Sequence, residues 1–272
     1  MPAAVPDDPD PAPAPASNDP APAPATNVLV VQHTASEHAA RLGGWLEQAG
    51  ATLTVARPYD GSDLPAGLDG YQGLLVLGGP QAAYPDPATG AWSAPWLPAV
   101  LGLLREAVGT GTPALGICLG AQLLAQAMGG RVAPGDRGPE IGPGLVAKRD
   151  GAIEDALFGD LPLTPDVLQW HDDAVVDLPP GASLLAAGAR YDHQAFRVGA
   201  RAWGVQFHIE ADEPMLRGWA AEERDRLAAL SIDADRAVEL AVARLADVEE
   251  TWQPVAARFV ELAAAGSQVL GR

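Results

Sequence analysis

Cysteine occurs once in the 272 residues, at Cys118. A single thiol excludes an internal disulfide framework, and the paired cysteines of zinc modules are missing. Basic residues are also scarce: 17 Lys and Arg stand against 35 Asp and Glu, a formal net charge of -18. With little cationic surface to release counterions, the chain is expected to bind neither nucleic acid nor anionic membrane. No apolar run approaches the roughly 20 residues of a membrane helix. No Lys or Arg precedes Arg41, so the basic start of a secretory leader is absent, and a soluble cytoplasmic protein is the expectation. The 48% hydrophobic content suffices for a sizeable core in one large domain with or without an appendage.

Residues 2–25 are mainly Pro, Ala and Asp. Such a segment has almost nothing large to bury, which predicts a disordered, partly polyproline tail over residues 1–26. The pattern changes at Asn27. Short apolar runs at 28–31, 52–56, 74–77 and 114–117 alternate with stretches of helical spacing at 37–48, 95–108 and 119–128. Apolar strands alternating with helices predict an α/β protein whose central, mostly parallel sheet is covered on both faces. Residues 131–206 read mainly as short strands, at 145–148, 167–170, 174–176, 183–187, 194–198 and 202–206. Residues 213–265 regain helical spacing with a break near Ser231-Ile232-Asp233, and Asp233 suits the cap of the helix that follows. The expected division is therefore a tail over 1–26, a domain over 27–212 and a helical extension over 213–272 packed on it.

Cys118 lies where a strand becomes a helix, with Gly116 and Gly120 two residues to either side. That spacing is the thiol form of a nucleophile elbow, a strained turn that needs small neighbours because the backbone doubles back. The helix beginning at Leu119 aims its unpaired N–H groups at the sulfur, which favours thiolate, the nucleophilic form. The bland alternative, a small buried hydrophobe, is the commoner role of a lone cysteine.

A second segment runs Trp203-Gly-Val-Gln-Phe-His-Ile-Glu210. In an extended strand Gln206, His208 and Glu210 share one face, so the carboxylate can bond the imidazole. A carboxylate orienting a histidine that activates a thiol is the general triad arrangement. Alone, His-x-Glu is weak evidence; downstream of an elbow cysteine it points to nucleophilic catalysis.

Gly78-Gly79-Pro80 after a strand, Gly-Ile-Cys118-Leu-Gly-Ala-Gln122 and Gln-Phe-His208-Ile-Glu210, in that order, resemble the class I glutamine amidotransferases. The likeness is nearest to stand-alone proteins similar to the amidotransferase domain of GMP synthase. It runs from about Asn27 to Arg217, with support from Gly129–Val132, Glu140–Gly142, Trp170-His171, Asp177–Gly181 and Gln194–Arg197. The resemblance implies a flavodoxin-like domain. It implies that Cys118 attacks the side-chain amide of L-glutamine, that His208 carries protons and that Glu210 orients it. It assigns the oxyanion hole to the N–H groups of Gly79 and Leu119 and substrate binding to Gln122, His171 and Asp173. No metal or organic cofactor is required by that chemistry. One departure stands out: Asp172 replaces the glycine that the family often carries after this histidine, adding charge near the substrate's amino group.

No P-loop or pyrophosphate motif is present for activating an acceptor. Released ammonia would then serve a separate synthase subunit, or the enzyme would be a free-standing γ-glutamyl peptidase or hydrolase with the same triad. A stress or redox-sensing protein of the larger superfamily is disfavoured, since in those a histidine directly follows the cysteine and here Leu119 does. His171-Asp172-Asp173 reads as a loop in preference to a metal site, and Glu140 as a buttress or a plain structural residue. His33, His38 and His193 are expected as surface or satisfied core residues, and Trp92, Trp96, Trp219 and Trp252 as packing residues or surface anchors.

Overall fold

The computed structural model describes Met1 and residues 26–270, so the expected tail lies almost wholly outside the described residues. In chain order the first half holds Thr26–Val31 (β1), Ala40–Gln48 (α1), Ala51–Ala56 (β2), Gly73–Val76 (β3), Leu97–Thr110 (α2), Ala114–Ile117 (β4) and Leu119–Ala127 (α3). Strands follow at Arg131–Pro134 (β5), Glu140–Leu145 (β6), Ala147–Lys148 (β7), Asp166–His171 (β8), Asp173–Asp177 (β9), Ser183–Ala187 (β10), Ala195–Val198 (β11) and Ala202–Val205 (β12). The helices Glu213–Glu222 (α4), Arg224–Ala229 (α5), Ala234–Val242 (α6) and Leu245–Leu270 (α7) come last.

The main sheet has the order β2-β1-β3-β4-β12-β11-β10-β7. The pairs from β2 through to β12 are parallel, and β12-β11, β11-β10 and β10-β7 are antiparallel. β3, β4 and β12 are buried at every position, as strands covered on both faces must be. Along β1, Val28 and Val30 belong to the core under α1 and α7, while Leu29 and Val31 belong to the core under α2 and α3. The chain leaves β1 to one side for β2 and returns on the other for β3. That switch opens a crevice at the carboxyl ends of the strands, the general ligand position in such sheets.

Two small antiparallel pairs, β5-β9 and β6-β8, stand beside the main sheet. Here one expectation fails. The strand read at 145–148 is divided: Leu145 ends β6, which pairs with β8, while Ala147 and Lys148 form the edge strand β7. The final segment breaks more often than its periodicity suggests, at Glu223 and 243–244 as well as at 230–233. Asp233 caps α6 by accepting from the Arg236 N–H at 2.9 Å, and Asp212 caps α4 in the same way through Met215. Among the described residues no helix is long and apolar enough to cross a membrane.

Candidate active site

At the end of β4 the backbone reverses at Cys118, with φ 49° and ψ -106°. A non-glycine residue held there costs about 1–3 kcal/mol and persists only where its surroundings force it. They do. A methyl group on Gly116 would stand 2.4 Å from the Gly120 carbonyl oxygen, and one on Gly120 would stand 2.1 Å from the Val76 oxygen. Strand and helix therefore touch backbone to backbone, and the Cys118 N–H is tied to Val205 O at 2.8 Å.

β12 stops at Val205 and does not run on to residue 210 as the alternation suggests. Residues 206–210 leave the sheet and touch β8, with His208 N–H donating to Leu168 O at 2.7 Å. The side-chain pair forms nevertheless: His208 Nδ1 donates to Glu210 Oε1 at 2.7 Å, and Glu210 Oε2 accepts the Ile209 N–H at 2.9 Å. A proton on Nδ1 leaves Nε2 to face the thiol; that atom is buried and has no hydrogen-bond partner. The contact with sulfur is thus looser than a formed hydrogen bond, a common state of triads without substrate.

Burial pushes the Cys118 thiol up, and Glu37 and Glu210 add to this while His208 opposes it. Burial thus works against the thiolate that the helix end is expected to favour. His208 behaves oppositely: burial works against its charged form, but Glu210 and Cys118 outweigh burial and raise it well above the ordinary imidazole range. Each of the two therefore favours the charged form of the other, and they titrate as a coupled pair.

Cys118 opens into a cavity of about 380 Å³ that also meets Gly79, Gln122, His171, Asp172 and Asp173. A methyl on Gly79 would fall 2.8 Å from Leu119 Cδ2, so the loop after β3 presses on the start of α3. Among the described residues neither the Gly79 nor the Leu119 N–H has a protein acceptor. Unpaired amides beside a nucleophile are the kind of donor an oxyanion hole needs.

The profile of the family described as glutamine amidotransferase class-I matches residues 44–214. The chain belongs to that family. The glutamine amidotransferase-like protein YfeJ of Salmonella typhimurium is 29% identical over 200 residues, 73% of this chain and 81% of that protein. A glutamine-hydrolysing GMP synthase of Thermomicrobium roseum is 38% identical over 140 residues, 51% of this chain but 23% of the synthase. Gamma-glutamyl peptidase 4 of Arabidopsis thaliana is 27% identical over 151 residues, 55% of this chain and 57% of the peptidase. The chain thus spans most of the first relative and smaller parts of the other two. A glutamine amidotransferase structure from Thermotoga maritima superposes with a TM-score of 0.76 at 28% identity, covering 87% of this chain and 99% of that one.

Within this class-I amidotransferase a chain of side chains leads away from the sulfur. Gln206 Nε2 approaches Sγ at 3.8 Å, and Gln122 Nε2 donates to Gln206 Oε1 at 3.3 Å and to Asp173 O at 3.0 Å. His171 Nδ1 meets the same Asp173 carbonyl at 2.9 Å, and its Nε2 meets Glu140 Oε2 at 3.1 Å. Gln194 Nε2 donates to Glu140 at 2.6 Å. His171 is accordingly a buried strand end and not a loop residue, because β8 and β9 are separated by Asp172 alone. Glu140 thus bonds both His171 and Gln194. Asp172 turns outward to Arg226 of α5 at 2.8 Å.

Burial also pushes the Asp173 carboxyl up, with Tyr84 opposing, and holds the Tyr84 phenol up at about 12. His33 is fully buried, accepts at Nδ1 from Trp96 Nε1 at 3.1 Å and is pushed by burial down to about 4. Its Nε2 has no partner among the described residues. Among the cleft residues that escaped sequence reasoning, two stand beside His208. Trp219 packs on His208 with ring centroids 4.7 Å apart and lines the cavity. Glu37 projects over Gly78 toward His208: a methyl on Gly78 would stand 2.1 Å from Glu37 Oε2 and 3.2 Å from His208 Cε1.

Proposed function

We propose that this protein hydrolyses the side-chain amide of glutamine or of a γ-glutamyl compound through a Cys118 thioester. The reading rests chiefly on one observation, the strained Cys118 on its elbow beside a histidine whose far nitrogen is held by Glu210 at 2.7 Å. The family profile supports it, since class-I amidotransferases are cysteine-dependent amidohydrolases. Sγ, having passed its proton to His208 Nε2, attacks the amide carbon. The negative oxygen of the tetrahedral species rests between the Gly79 and Leu119 N–H groups. His208 returns the proton to the leaving nitrogen, the C–N bond breaks, and ammonia or an amine departs. Water, deprotonated by His208, then attacks the thioester and releases glutamate. Glu210 holds the imidazole throughout, and Gln122, His171 and Asp173 receive the glutamyl moiety.

In this reading residues 27–212 are the catalytic domain and 213–272 a helical extension packed on it. A reactive free thiol suits a reducing compartment, so the cytoplasm is the setting we infer. With free glutamine as substrate, the ammonia would pass to an ammonia-using synthase or go unused. The similarity to a γ-glutamyl peptidase favours the second form of the reading, with an amine or peptide as leaving group.

The test is glutamate and ammonia release from L-glutamine by purified protein, with Cys118→Ala alongside and a panel of γ-glutamyl amides. Release that vanishes in the variant is expected. Turnover that survives Cys118→Ala would remove the thiol from the chemistry.

A further inference from the structure

The cleft above Cys118 is crowded with carboxylates. Glu37, Asp172, Asp173, Glu222 and Glu223 all line it. The Arg226 guanidinium is committed to two of them: it bonds Asp172 at 2.8 Å and Glu223 at 3.0 Å. The charge on His208 is matched by Glu210. Glu37 and Glu222 have no hydrogen bond or ion pair among the described residues, although Glu37 stands over Gly78 against the catalytic imidazole. The charges of these neighbours add to what burial does to Glu37. Burial first, then the charges of Glu210, Glu223 and Glu222, push it up to about 7 against the pull of His208. Carboxylates left short of cations at the mouth of a cleft favour a ligand that brings a cation and repel one that brings a carboxylate.

We infer that the substrate is a γ-glutamyl amide whose leaving group carries a protonated amine, as the mono-amide of a diamine or polyamine does. The inference rests on the γ-glutamyl hydrolase reading and specifies it. The ammonium group lies toward Glu37 and Glu222, which line the same cleft as the thiol. Hydrolysis of the C–N bond through the Cys118 thioester, with water as the only co-reactant, returns glutamate and the free diamine. The chemistry thus belongs after a reaction that joins glutamate to an amine.

Three substrates of equal chain length separate the possibilities: γ-glutamylputrescine, its neutral counterpart γ-glutamylpentylamide, and its anionic counterpart γ-glutamyl-4-aminobutanoate. kcat/KM should fall by about tenfold from the first to the second and again to the third, as expected of carboxylates in a partly open cleft. Glu222→Gln and Glu37→Gln should each compress the series, as should about 0.5 M salt. All three share the glutamyl amino group. If the carboxylates serve that group alone, all three substrates will turn over at similar rates in a Cys118-dependent manner. That result overturns the inference and leaves the hydrolase standing. Absence of Cys118-dependent release from any of them, and from L-glutamine, overturns both.

Discussion

At Gly120 the room for a side chain is already taken, because a methyl group would stand 2.1 Å from the backbone oxygen of Val76. A rigid carbonyl cannot yield as a side chain can, so β3 or α3 must shift and Cys118 with them. Gly120→Ala should cost about 2–4 kcal/mol of stability and, by displacing the nucleophile, about a hundredfold in kcat. Gly102→Ala is the control: nothing lies within 4 Å of its added methyl, and in mid-helix it should stabilise by about 0.5–1 kcal/mol. Urea unfolding and turnover of the pair decide the matter; equal behaviour would mean the elbow relaxes freely. Glu37 adds a pH signature. Its folded-state value near 7 lies above the ordinary 4.5. The group is therefore protonated more readily when folded, and its favourable contribution is complete below pH 4.5 and lost as pH rises through 7. Glu37→Gln removes that loss. The variant should gain on the wild type between pH 5 and pH 8, by on the order of 1–3 kcal/mol given screening through the open cleft. Denaturation curves at the two pH values that run parallel would contradict this.

α4 is the element that carries chain from outside the parallel sheet into the cleft, bringing Trp219 onto the His208 ring and Glu222 to the rim. Its first turn is held by Asp212, whose carboxylate accepts the Met215 N–H at 2.9 Å. Asp212→Ala should lower stability by about 1 kcal/mol, roughly 2–4 °C in Tm for a domain of this size, and Asp212→Asn should retain most of it. A thermal scan in which alanine and asparagine behave alike would rule out the cap. Elements also mark what a sequence can and cannot disclose. The elbow and the His208–Glu210 pair were legible because their chemistry is local: two glycines two residues from the sulfur, and an acid two residues from the imidazole. The pairing survived even though the strand expected to present it ends at Val205. The division of 145–148 between two sheets was not legible, because sheet membership depends on which partner lies alongside, β8 or β10, and both are remote in sequence. Glu37 and Trp219 escaped for the same reason. Glu37 folds back to His208 from a distant segment and Trp219 from the helix that follows it, and no local periodicity records either approach.

For the whole molecule the question is whether residues 213–272 are an attachment or part of one core. Trp252 of α7 is fully buried. Its ring packs on Phe207 at 5.2 Å and Phe158 at 5.7 Å between centroids, and its Nε1 donates to Asp166 O at 2.9 Å. Phe207 is the residue immediately before His208, so one face of the catalytic segment rests on the last helix. Arg41 of α1 strengthens the joint by donating to Leu245 O at 2.9 Å and pairing with Glu249. The family profile ends at residue 214, but the apolar core continues past it: Trp219, Val238, Val248, Trp252 and Phe259 share one cluster with Val28, Val30 and Cys118. Removing the extension would expose that face of the sheet, and no surface made for water lies beneath it. Trp252→Ala alone should cost about 3–5 kcal/mol, a large part of the roughly 5–15 kcal/mol that holds a domain together. Two outcomes follow at this scale. The full chain should unfold in one transition, with near-ultraviolet circular dichroism from its tryptophans and far-ultraviolet signal from its backbone falling together. A chain cut after Asp212 should lose cooperative unfolding and turnover together. A soluble, cooperatively folding and active 1–212 fragment would instead show that the helices merely lean on a domain complete without them.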